Sequence, residues 1–111
     1  MKEKYLACGL NYDLIIDQYP DLNEYEKILH IYLDDEFFSG LKTYLENEDY
    51  ALAKDATKGL YILAADLKIF PLYERLLDIY EDIEDENYKA LNDDYDRMIA
   101  VHHQIKKGFS C

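Results

Sequence analysis

The chain has no tryptophan, and only four glycines and two prolines in 111 residues. So few turn-forming residues remove the punctuation that an all-β sandwich needs. Basic residues are half as frequent as acidic ones, 12 against 24, which leaves a formal net charge of −12. A nucleic-acid binder clusters Lys and Arg to neutralise phosphates, so contact with DNA or RNA is excluded, and anionic membrane surfaces are disfavoured on the same ground. No apolar run approaches the roughly 18 residues of a membrane span. The apolar part of residues 1–8 is too short for a signal peptide, so a cytoplasmic protein is expected. Cysteine is nearly absent: Cys8 and Cys111 stand at opposite ends. They read as free thiols of a reducing compartment, with a staple between the ends as the alternative.

What is present is helical. Half of the residues are apolar, enough for one globular domain spanning 1–111, with its core in about 9–106. A short first helix is expected over 11–19, with Leu14, Ile15 and Tyr19 inward. Pro20 breaks it, and Asp21 or Asn23 can cap the next helix. That second helix is expected from about 22 to 47, with Tyr25, Ile28, Leu29, Tyr32, Leu33, Phe37, Leu41, Tyr44 and Leu45 at 3-4 spacing. The third, about 49 to 66, places Leu52, Ala53, Ala56, Leu60, Leu63 and Leu67 on one face. Pro71 suits the first turn of a fourth helix burying Leu72, Leu76, Ile79, Tyr80 and Ile83. The fifth, about 87 to 106, buries Tyr88, Leu91, Tyr95, Met98 and Ile105, and Gly108 ends it. Four long amphipathic helices with short loops predict an all-α, up-down four-helix bundle. Its shared core is expected to hold Leu29, Leu33, Leu60, Leu63, Leu76 and Met98.

The order of several short motifs adds a topology. The run from Asp49-Tyr50 through Leu60, Ala64 and Leu67-Lys68-Ile69 to Leu72 resembles the central helix and turn of histidine-containing phosphotransfer domains. That family reads D-W at the start of the helix, a leucine two residues after the reactive histidine, a small residue, then L-G-A and a further leucine. Gly9-Leu10-Asn11-Tyr12-Asp13 and Gln18-Tyr19 are similar to its opening G-I-D and R-F. Tyr25-Glu26-Lys27-Ile28-Leu29-His30-Ile31-Tyr32 is similar to its Y-x-x-L-L-x-x-F. The resemblance implies a bundle of that type with a short N-terminal helix across one end. It also implies a role in two-component phosphorelay signalling, with a response-regulator receiver domain or a histidine kinase as partner.

The chemistry of that family is missing. In the gapless register Lys58 occupies the position of the reactive histidine. A rival register, in which Lys58-Gly59 imitates the family's K-G pair, puts Asp55 there and needs about three extra residues before Leu67. In either register no histidine lies between His30 and His102. Imidazole, with a pKa near 6.5, keeps a large neutral fraction at pH 7, whereas a lysine amine near 10.4 is neutral in about one molecule in a few thousand. The chain is therefore expected to be no enzyme and to need no cofactor. His30 reads as structural. His102 continues an apolar series and should pack with one nitrogen hydrogen-bonded, and His103 should face solvent. Adjacent histidines diverge by about 100° on a helix and make no i,i+4 metal pair.

Two surfaces remain. The outer face of the third helix, Lys54, Asp55, Lys58, Tyr61, Ile62 and Ala65, is expected to be the docking face for a protein partner, because the resembling family presents its reactive face there. The stretch 74–96 is strongly acidic and reads as a solvated helical hairpin. It is no calcium loop, since Asn87 stands where glycine is needed and Asp93 where glutamate is. Two other readings stay open: phosphotransfer through a residue the family does not use, and an acidic bundle that binds an unrelated protein. A monomer is expected.

Overall fold

The computed structural model describes residues 2–110, and within them every regular element is helical. In order these are α1 (Lys2–Ala7), α2 (Tyr12–Gln18), α3 (Leu22–Tyr32), α4 (Asp35–Glu46), α5 (Tyr50–Asp66), α6 (Phe70–Glu84), a 3-10 turn (Tyr88–Ala90) and α7 (Leu91–Gly108). No helix among the described residues is long and apolar enough to cross a membrane.

Most helices begin where the sequence supplies a cap. The side chains of Asn11, Asp21, Asp34 and Asp49 accept hydrogen bonds from the first-turn amides of α2, α3, α4 and α5. α6 begins without a side-chain cap and carries proline in its first turn. Helix ends are equally systematic. Gly9, Glu48, Lys68 and Glu86 all adopt positive φ, between 56° and 75°. At each, the next amide reaches back to the carbonyl five residues earlier: Leu10 to Tyr5, Asp49 to Tyr44, Ile69 to Ala64, Asn87 to Asp82. This is the Schellman closure, usually built on glycine, and here only Gly9 is one.

α5 packs along α6, α6 along α7, and α4 touches both α5 and α7, so the four longest helices close on one another. Leu29, Leu33, Leu60, Leu76 and Met98 lie in the core as expected. The short N-terminal helices lie against this body. Tyr5 is fully buried, with its ring edge-on to Phe109 at 4.9 Å. Gly108 is there because a Cβ would collide with the Cys8 sulfur. Cys8 is buried and free. Cys111, its partner in the stapled alternative, lies outside the described residues.

Leu14, expected inward on the first helix, is exposed, and four larger expectations need correction. The helix predicted over 22–47 is two helices, because Asp34 withdraws from the ladder and caps Glu36 at 2.9 Å. The apolar stripe runs through this break, so periodicity does not mark it, but its phase slips: Phe38 is buried and Phe37 exposed. Second, Leu63 and Leu52 are not in the core. α5 buries Ala53, Thr57, Leu60 and Ala64, three of them small residues on a helix that packs along α6. Third, α1 precedes the first predicted helix. Fourth, α7 starts only at Leu91, and Tyr88 is exposed, stacked on Tyr50 with ring centroids 3.9 Å apart.

Candidate docking surface

The six residues of the expected docking face all lie on α5, but they do not form one free patch. Lys54 Nζ is 2.6 Å from Glu84 Oε1 and lies over the Tyr80 ring. The Tyr61 ring stands edge-on to both Tyr73 and Tyr80, at 5.8 and 5.4 Å between centroids. Those two side chains therefore belong to the seam between α5 and α6. Ala65 is half-buried, whereas Asp55, Lys58 and Ile62 are exposed.

A surface that the sequence did not reveal lies on the other flank of α5. Four large apolar side chains are left in solvent there: Ile31 at 68% exposure, Phe37 at 54%, Leu63 at 50% and Ile28 at 40%. They line a groove of about 400 Å³ between α3, α4 and α5, floored by Tyr32, Leu60 and Leu67. Among the described residues, the only carboxylate in its wall is Asp66. The sequence signal was a surplus. α3 to α5 carry more apolar residues than one stripe can bury, and spacing alone assigned the surplus to the core.

Tyrosine hydroxyls hold this groove open at fixed width. Tyr32 donates to the Leu60 carbonyl at 2.6 Å, Tyr25 to Leu67 at 2.6 Å and Tyr19 to Asp66 at 2.9 Å. The last two acceptors are carbonyls at the end of α5, where no further turn of helix exists to satisfy them. Burial pushes the Tyr25 and Tyr32 phenols well above the ordinary value, so they stay protonated donors. Two glycines in helix interiors flank the same region, Gly59 one turn before Leu63 and Gly40 one turn after Phe37. A Cβ at either would meet nothing. The fold does not require glycine at these positions, where it weakens a helix by about 1 kcal/mol relative to alanine.

The titratable groups are spread out. Lys58 is exposed, His30 is exposed on α3, and no histidine lies on α5. His102 is fully buried, its Nε2 2.8 Å from the Leu33 carbonyl, as the apolar series predicted, and His103 is exposed. In the acidic hairpin one carboxylate departs from the solvated reading. Asp94 is buried, and one of its oxygens has no hydrogen-bond partner among the described residues. Burial, with a hydrogen bond and charge repulsion from Asp82 and further repulsion from Asp78, pushes it up to about 7.

No family model matches the chain, and the searches of curated proteins and of solved structures found no match.

Proposed function

We propose that this chain is a non-catalytic protein-binding module, built as a phosphotransfer-type four-helix bundle, that serves as an adaptor in cytoplasmic phosphorelay signalling. The groove between α3, α4 and α5 carries this reading. Four large apolar side chains converge on one fixed-width cleft, the arrangement that receives an amphipathic helix from a partner. The occupant is a partner helix with basic flanks. Among the described residues the one charged side chain in the groove wall is the carboxylate of Asp66, the chain as a whole carries a net charge of −12 that favours a basic partner, and a second copy of it would be repelled.

Two observations support the family part of the reading. Lys68, which aligns with the family's turn glycine, has φ of 62°, a conformation that favours glycine. Lys58, which aligns with the reactive histidine, stands in solvent, so a receiver domain that approaches this position meets a lysine side chain instead of an imidazole.

A photo-crosslinking side chain at Phe37 tests the docking site in the source cell. A receiver-domain protein should be captured, and capture should fail when Ile31→Asp is added. Capture that survives Ile31→Asp places the interface elsewhere, and a partner unrelated to two-component signalling replaces the adaptor reading with that of an acidic bundle serving another pathway. Incubation with a phosphorylated receiver domain and an active histidine kinase should leave no acid-labile phosphate on the chain. Label mapping to His30 or His102 would establish phosphotransfer through a residue the family does not use.

A further inference from the structure

We propose that Asp35, His102 and His103 form a binding site for a divalent transition-metal ion of the zinc, cobalt or nickel kind, at the junction of α4 and α7. One ligand atom of each residue lies within 4.8 Å of the other two. The independent observation is an orphaned nitrogen. The Nε2 of His102 lies 2.8 Å from the Leu33 carbonyl, and a carbonyl can only accept. In the neutral ring Nε2 therefore carries the proton and the lone pair falls on Nδ1, which is shut away from solvent and has no partner among the described residues. Metal-binding histidines are characteristically held this way, one ring nitrogen donating to a backbone carbonyl and the other free to ligate. Phe38 fixes the ring further, with centroids 4.2 Å apart.

The donor set selects the ion. Two imidazoles and one carboxylate suit zinc and its borderline neighbours, whereas calcium and magnesium take oxygen ligands. Asp35 and His103 are exposed, which gives the ion a path in and leaves coordination positions for water. Bonds of about 2.0–2.1 Å require donors roughly 3.3 Å apart, so the three must draw together by up to about 1.5 Å. The exposed side chains of His103 and Asp35 can supply that movement. Lys106 competes, with Nζ 3.0 Å from Asp35 Oδ1. It must swing out for the ion to enter, and its side chain is 41% exposed, so it is free to do so. Spacing along the chain showed only the adjacent histidines; the third donor comes from the start of a distant helix.

Titration of the full chain with cobalt(II), followed by its visible absorption and then by displacement with zinc, tests the site. One equivalent should bind saturably, and zinc should shift the side-chain nitrogen resonances of His102. Asp35→Asn and His103→Ala, both at exposed positions that leave the fold intact by circular dichroism, should each weaken binding about tenfold or more. Lys106→Met should tighten it, and His30→Ala should leave it unchanged. An unaltered cobalt spectrum on the natural chain overturns the proposal, and so does equal affinity in the Asp35→Asn and His103→Ala variants, which would mean diffuse attraction to an acidic surface.

Discussion

α5 meets its neighbours in two different ways. Its buried face is Ala53, Thr57, Leu60 and Ala64, three of them small, and along α6 Tyr61, Tyr73 and Tyr80 seal the seam with edge-on rings. Toward α3 and α4 it presents Leu63 to bulky Ile28, Ile31 and Phe37, and all four remain in solvent. Both sides are apolar, so hydrophobicity alone does not decide which one closes. Side-chain size and the tyrosine struts do. Small residues let helices approach and exclude water, while Tyr32, bonded to the Leu60 carbonyl, holds α3 at a distance the large side chains do not fill.

The comparison can be broken from either side. On the closed side the largest effect is expected from Leu76→Ala, which removes a fully buried side chain from α6 and should cost about 2–5 kcal/mol in a urea melt. A cost below about 1 kcal/mol would mean the seam is looser than described. Next comes Asp94, on α7 against α6, where Asp82 and Asp78 face it and Arg97 on its own helix is the nearby cation that pulls the other way. Its folded pKa, about 7, lies above the ordinary unfolded value of about 3.9. Its contribution to stability is therefore fully present below about pH 4 and is lost as pH rises through about 7. Asp94→Asn should flatten that part of the pH profile and, at pH 8, stabilise the chain by on the order of 1–3 kcal/mol, the penalty of a buried group left unsatisfied. A profile that keeps its slope in the variant would assign it to other groups.

On the open side the effects should be smaller. Tyr32→Phe deletes the strut to Leu60 and should cost about 0.5–1.5 kcal/mol, with partner capture from Phe37 impaired as well. Leu63→Ala should stay within about 0.5 kcal/mol of the natural chain, as at most exposed positions. A cost of about 2 kcal/mol or more would mean that the groove closes in solution and that Leu63 is a core residue after all.

Much of the helical plan was legible in the sequence, for identifiable reasons. Asp21, Asp49 and Pro71 are start signals whose chemistry is local, and the starts of α3, α5 and α6 fall beside them. Leu29, Leu33, Leu60, Leu76 and Met98 sit at the centre of apolar stripes wide enough that a small rotation does not expose them. Leu63 and Phe37 failed because they sit at stripe edges, where the size of the opposing residue decides burial. The break at Asp34 failed because an aspartate inside an amphipathic pattern reads as an ordinary surface residue. Of the face expected on α5, Asp55, Lys58 and Ile62 are exposed while Lys54 and Tyr61 pack against α6; the apolar groove on the other flank gave no signal in the spacing. The ends expected near 47 and 66 fall within a residue of the ends of α4 and α5, although Glu48, Lys68 and Glu86 stand where glycine usually marks such closures.

Those three helix ends have a further consequence. In each, the residue that completes the closure also starts the next element: Asp49 caps α5, Ile69 precedes α6, and Asn87 precedes the 3-10 turn. The corners after α4, α5 and α6 therefore contain no slack. Every amide from Asn47 to Asp49, Leu67 to Ile69 and Asp85 to Asn87 is already bonded to the helix behind it. Proteases cut where several residues can be drawn out into an extended strand, and exposed loop tips are their usual targets. Here such a strand exists only after the end of a helix has unravelled. Trypsin should thus spare Lys68, despite its place at a turn, until the whole assembly of α4 to α7 unfolds.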